Sequence, residues 1–150
     1  MIQRIQTVYL LLAFIALMLQ FAIPYGVVPM GAESAAIPAL VDGQFNLTDR
    51  VWLLIITIIA GGLAFAAVWL YPNRPLQSRI TSFGIFSAAF LAVFLGTQFF
   101  TLANEAKELM EDFHYRAGVG MPALSVLLLW KANQNIRRDQ AKVEAANRLR

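Results

Sequence analysis

The chain contains no cysteine, which excludes disulfides, thiolate metal sites and thiol catalysis. Its single histidine, His114, leaves almost no imidazole for a metal cage or a proton relay. Charge is scarce too: 14% of the 150 residues are Asp, Glu, Lys or Arg, and the long apolar runs contain only Lys131, at the far end of the last one. Those runs also lack paired carboxylates, a nucleophile beside a base, or a phosphate-cradling loop. The protein is therefore expected to be non-enzymatic and to need no cofactor.

What is abundant is apolar. A hydrophobic share of 59% and a mean hydropathy of +0.60 exceed those of an ordinary soluble domain. The hydrophobicity is gathered into four runs, read here as spans at about 5–23, 51–71, 80–103 and 117–133. The first three are near the roughly 17 to 25 residues a helix needs to cross hydrocarbon, and the fourth is short for the purpose. The expected fold class is all-α: one four-helix transmembrane bundle with antiparallel neighbours, followed by a helical tail over 134–150. The first run resembles a secretory signal in position. It is long for one, however, and it meets Pro24-Tyr25 without a small-residue cleavage site, so it is read as a retained span. The turn Pro72-Asn73-Arg74-Pro75-Leu76-Gln77-Ser78-Arg79 is short, which makes the second and third spans antiparallel neighbours.

The third span carries Gly84, Ala88, Ala92 and Gly96, one at every fourth position. In lipid no hydrophobic force draws helices together, so close approach at such small-residue faces supplies packing energy. This span is expected to be the hub, with Gly61 and Gly62 of the second span facing it. Polar interior residues are few; Gln98 either bonds between helices or, with Thr101, lines a polar path. The latter would make the protein a small transporter or channel.

The connections carry less apolar sequence. Pro24, Pro29 and Pro38 forbid a continuous helix in the first loop. Within it, Ala39-Leu40-Val41 and Gln44-Phe45-Asn46 flank Asp42-Gly43, a dipeptide suited to a tight turn, so the alternatives are a short β-hairpin and an irregular loop. The stretch Asn104 to Arg116 has good helix formers and is expected to prolong the third helix beyond the bilayer. It holds Glu108, Glu111 and His114 at i, i+3 and i+6, a weak metal-site candidate set against a solvated acidic helix face.

With four spans, one side of the membrane receives Arg4, Arg74, Arg79, Lys131, Arg137, Arg138, Lys142, Arg148 and Arg150. The other side keeps Arg50, Lys107 and Arg116. This bias puts both termini in the cytoplasm. The tail residues Arg137, Arg138, Lys142, Arg148 and Arg150 are candidates for contact with a partner or with lipid headgroups, besides anchoring the orientation. Nucleic acid is not an expected partner, because no recognition fold or aromatic platform accompanies the charge.

The opening Met1-Ile2-Gln3-Arg4-Ile5-Gln6-Thr7-Val8-Tyr9-Leu10 pairs with an ending made of Ile136-Arg137-Arg138-Asp139, Val143 and Asn147-Arg148-Leu149-Arg150. Together they resemble a family of small four-span membrane proteins of the Bacteroidota, a domain of unknown function. Asn147 stands where that family's pattern has an acid. The resemblance implies a bacterial inner-membrane protein and brings no activity, substrate or partner. With packing faces and no chemistry, the expected role is association: an accessory or scaffolding subunit of a larger membrane assembly, or a bundle that associates with itself.

Overall fold

The computed structural model describes residues 2–31, 34, 36–107 and 109–148. Most of them lie in four helices: α1 (Ile2–Leu19), α2 (Val51–Trp69), α3 (Arg74–Glu105) and α4 (Met121–Arg148). Helices α2 and α3 are long and apolar enough to cross a membrane; the apolar part of α1 is the shorter Ile5–Leu19. The apolar opening of α4 meets Lys131 after Trp130, which breaks its hydropathy although the helix itself continues.

The helices form a closed ring in which α1 packs against α2 and α4, and α3 packs against the same two. Neighbours run antiparallel. Phe14 of α1 lies against Phe65 of α2 with ring centroids 5.2 Å apart, while Gly61 faces Met18 nearer the end of α1. The turn between α2 and α3 is tight because the Asn73 side chain accepts the Leu76 amide and caps α3. Leu10, Leu17, Leu53, Ala60, Ala64, Ala88, Leu91 and Leu129 fill the interior and are fully buried.

The small-residue stripe of α3 does not stay on one face. At 3.6 residues per turn, every fourth residue drifts about 40° around the axis. The buried face accordingly follows Gly84, Ala88, Leu91 and Leu95. Ala92 is half-buried and Gly96 is exposed. On α2, Gly61 is buried against Met18 of α1, whereas Gly62 has no atom within 4 Å of a would-be Cβ. The interior approach at Gly61 is thus to the first helix and not to the third.

Opposite the chain termini, the two long connections are joined by a three-stranded antiparallel sheet in the order β2-β1-β3. Its strands are β1 (Gly26–Val27), β2 (Gln44–Phe45) and β3 (His114–Tyr115). Gly26 pairs with Phe45 on one side and with Tyr115 on the other. Of the two alternatives for the first loop, a hairpin between Ala39-Leu40-Val41 and Gln44-Phe45-Asn46 does not form. Gly43 does turn the chain, with φ at +69°, but Pro38–Leu40 is a 3₁₀ turn and β2 finds its partner in Gly26–Val27.

The expected extension of the third helix is also corrected, since α3 ends at Glu105. Propensity favours helix beyond that point, but tertiary contact decides otherwise. Phe113 is buried on Gly26 and makes edge contacts with Phe99 and Tyr115, and the Arg116 amide donates to the Tyr25 carbonyl at 2.9 Å.

Candidate functional site

The densest polar cluster lies between α3 and α4 at the terminal end of the bundle. Ser78 and Ser82 are one turn apart on α3, as Asn133 and Arg137 are on α4, so two i, i+4 pairs meet across an antiparallel seam. The Ser78 hydroxyl donates to Asn133 Oδ1 at 2.9 Å, and Asn133 Nδ2 donates to Ser82 Oγ at 3.1 Å. Arg137 Nε donates to Ser78 Oγ at 3.4 Å. One turn outward, Arg74 Nη1 sits 3.7 Å from Asp139 Oδ2 and donates to the Asp139 carbonyl at 3.3 Å. Gln77, also buried, donates from Nε2 to the Ala67 carbonyl at 2.9 Å and so ties α3 to the end of α2.

This clasp extends the packed bundle beyond the expected span. Asn133, Ile136 and Asp139 are all buried, so the first turns of the 134–150 stretch are part of the core and not a projection into water. Two cavities flank Arg137 along the outer edge of the seam. One, of about 230 Å³, is lined by Ser82, Phe86, Trp130, Asn133 and Arg137 among others. The second, of about 410 Å³, is lined by Ser78, Arg79, Arg137, Gln140 and Glu144 among others.

At the sheet end the polar groups are enclosed. The Tyr25 hydroxyl donates to Gln20 Oε1 at 3.0 Å, and burial pushes this phenol well above its ordinary pKa. Tyr25, Phe45, Phe99, Phe113 and Tyr115 form a continuous set of ring contacts with centroids 5.0 to 5.8 Å apart. Asp49 closes a capping box with Asn46, and its carboxyl is raised above the usual range chiefly by burial. Arg50 and Glu105, 3.9 Å apart and partly exposed, bring together the start of α2 and the end of α3.

The residues singled out from sequence are dispersed. Gly61, Gly84 and Ala88 are buried in the bundle, while Gly62 and Gly96 open outward. Glu111 lies in a turn and His114 in β3, so the helical spacing that would align them is absent; Glu108 is outside the described residues. Thr101 donates its hydroxyl to the Thr97 carbonyl at 3.0 Å, and Gln98 is half-buried. Arg138 and Lys142 are exposed on α4. Arg150 is outside the described residues, as is the side chain of Arg148. The expected fourth span ends at Asn133 and the tail beyond it is assigned to water, so sequence reading missed the clasp. The signal available was the pair of i, i+4 polar spacings at the facing ends of two helices.

No curated protein and no solved structure matches the chain. Residues 2–149 match the model described as Domain of unknown function (DUF4293), and the chain belongs to that family.

Proposed function

We propose that the protein is a non-enzymatic, multi-pass component of a bacterial inner membrane, crossing it four times with both termini in the cytoplasm. It acts by association, as an accessory or scaffolding subunit of a larger assembly or as a bundle that meets its own copies. One observation carries this reading: large apolar side chains are exposed on the outer face of every helix. They include Val8, Leu12 and Ile15 on α1, Ile58 and Ile59 on α2, Phe86 and Phe90 on α3, and Leu124 and Leu127 on α4. In water such a girdle would be an aggregation surface, whereas in lipid it is the ordinary solvent-facing side. Trp52 at one end of α2, and Trp69 and Tyr71 at the other, are exposed where amphipathic rings anchor at headgroups.

Within that girdle Gly62 and Gly96 leave small openings against which another helix can pack closely. Ser78, Ser82 and Asn133 bond one another and, through Ser82, the backbone, so they act as structural fastenings. A transporter or channel has less support, because Ala60, Ala64, Ala88 and Leu91 close the interior.

Extraction of native membranes in a mild detergent, with cross-linking and mass spectrometry of what travels with the chain, tests the role. A larger species of reproducible composition is expected. A solitary monomer in every mild detergent would remove the association, and reporters placing the two termini on opposite sides would remove the topology.

A further inference from the structure

We propose that the groove on the outer edge of the α3–α4 seam is a binding site for the phosphate headgroup of an anionic phospholipid. The inference rests on the four-span reading for its medium, but it is carried by a separate observation. The antiparallel seam sets two cations side by side at one level and two exposed aromatic rings side by side at another. Arg79 of α3 and Arg137 of α4 line the outer cavity together. Phe86 of α3 and Trp130 of α4 line the inner cavity together, and Arg137 forms part of both walls. On each helix the cation and the ring are seven residues apart, about 10 Å along the axis.

That layered arrangement fits one occupant. A phosphate at the outer level receives charge-assisted hydrogen bonds from guanidinium groups. The glycerol and the start of an acyl chain then reach the level of Phe86 and Trp130, which are 73% and 49% exposed, with Lys131 Nζ 5.6 Å from the centroid of the Trp130 ring. The cations are available. The guanidinium of Arg79 has no ion pair or hydrogen bond among the described residues. Arg137 uses Nε, on Ser78, which holds the side chain in the groove, and its two terminal nitrogens have no ion pair or hydrogen bond among the described residues. The one acid in the wall, Glu144, accepts from Gln140 Nε2 at 2.9 Å and is thereby partly engaged. A soluble anion would use the arginines alone and leave the aromatic level unused; a lipid uses both.

Fluorescence quenching tests the site with Trp130 as the reporter. Trp52→Phe and Trp69→Phe leave Trp130 as the only indole, and the protein is reconstituted in phosphatidylcholine vesicles. Dibrominated phosphatidylglycerol or dibrominated phosphatidylcholine is then added at equal mole fractions. The phosphatidylglycerol should quench more steeply, with an enrichment on the order of tenfold for two cations near the surface. Arg79→Gln with Arg137→Gln should bring the two curves together at unchanged circular dichroism, while Arg138→Gln, outside the groove, should keep them apart. Millimolar inorganic phosphate should leave the preference intact, and its abolition would overturn the lipid assignment.

Coincident curves in the arginine-intact protein would overturn the site and leave the four-span reading standing. No quenching by either lipid would overturn both. Native mass spectrometry of the unsubstituted protein from mixed vesicles gives a second readout, in which retained phosphatidylglycerol supports the site and equal retention of both lipids overturns it.

Discussion

At the scale of single residues, two glycines mark where backbone and ring approach too closely for any side chain. A Cβ on Gly118 would lie 2.5 Å from the Pro24 carbonyl oxygen and 2.7 Å from that of Ile23. Both obstacles are main chain at the exit of α1, so neither can rotate away. A Cβ on Gly26 would instead enter the ring of Phe113, a side chain able to pivot. Gly118→Ala should therefore destabilise by about 1 to 3 kcal/mol, as overpacking does. Gly26→Ala should be less harmful when combined with Phe113→Leu than alone. Thermal unfolding in detergent reads both, and an unchanged transition for Gly118→Ala would contradict the close approach.

At the scale of elements, α3 and α4 are fastened by few but mutually dependent polar groups. Asn133→Ala deprives Ser78 and Ser82 of partners, and Ser78→Ala removes the group that receives Arg137 Nε. A double-mutant cycle between Ser78→Ala and Asn133→Ala should return a coupling of roughly 0.5 to 2 kcal/mol. Strict additivity would mean the two residues do not act on each other. The four helices were legible in the sequence because each is announced by an apolar run or good helix formers, and the α2–α3 turn by Pro72, Asn73 and Pro75. The turn at Gly43 was legible as well, from the dipeptide Asp42-Gly43, and among the described residues Gly43 alone has a positive φ. The sheet was not, because strands of two residues are too short for alternation to register and their partners come from separate connections. The end of α3 at Glu105 was hidden for a similar reason: the seat of Phe113 on Gly26 is a contact between distant segments, and local propensity does not encode it. The clasp fell between these cases: its i, i+4 spacings stand in the sequence, but they are split between the α2–α3 turn, two spans and the tail, so nothing local joins them.

At the scale of the molecule, the small residues divide between inner and outer surfaces, and this division separates folding from association. Gly84 is surrounded by Leu63 and Leu129, whereas Gly62 and Gly96 touch nothing. Gly62→Leu and Gly96→Leu should therefore leave the unfolding transition within about 0.5 kcal/mol of the parent, as surface changes do. They should nevertheless reduce cross-linked larger species in membranes. If both variants unfold early, the outward faces are part of the fold and the association surface must be sought elsewhere. The sheet carries a consequence of another kind, for biogenesis. A ribosome delivers β1 first, β2 next and β3 last, but the finished sheet places the earliest strand in the centre. One edge of Gly26–Val27 must wait unpaired until Tyr115 has been synthesised, after three of the four helices already exist. Docking of Phe113 is thus among the closing steps of maturation, and a nascent chain arrested before that residue would hold most of the bundle beneath an unsealed lid.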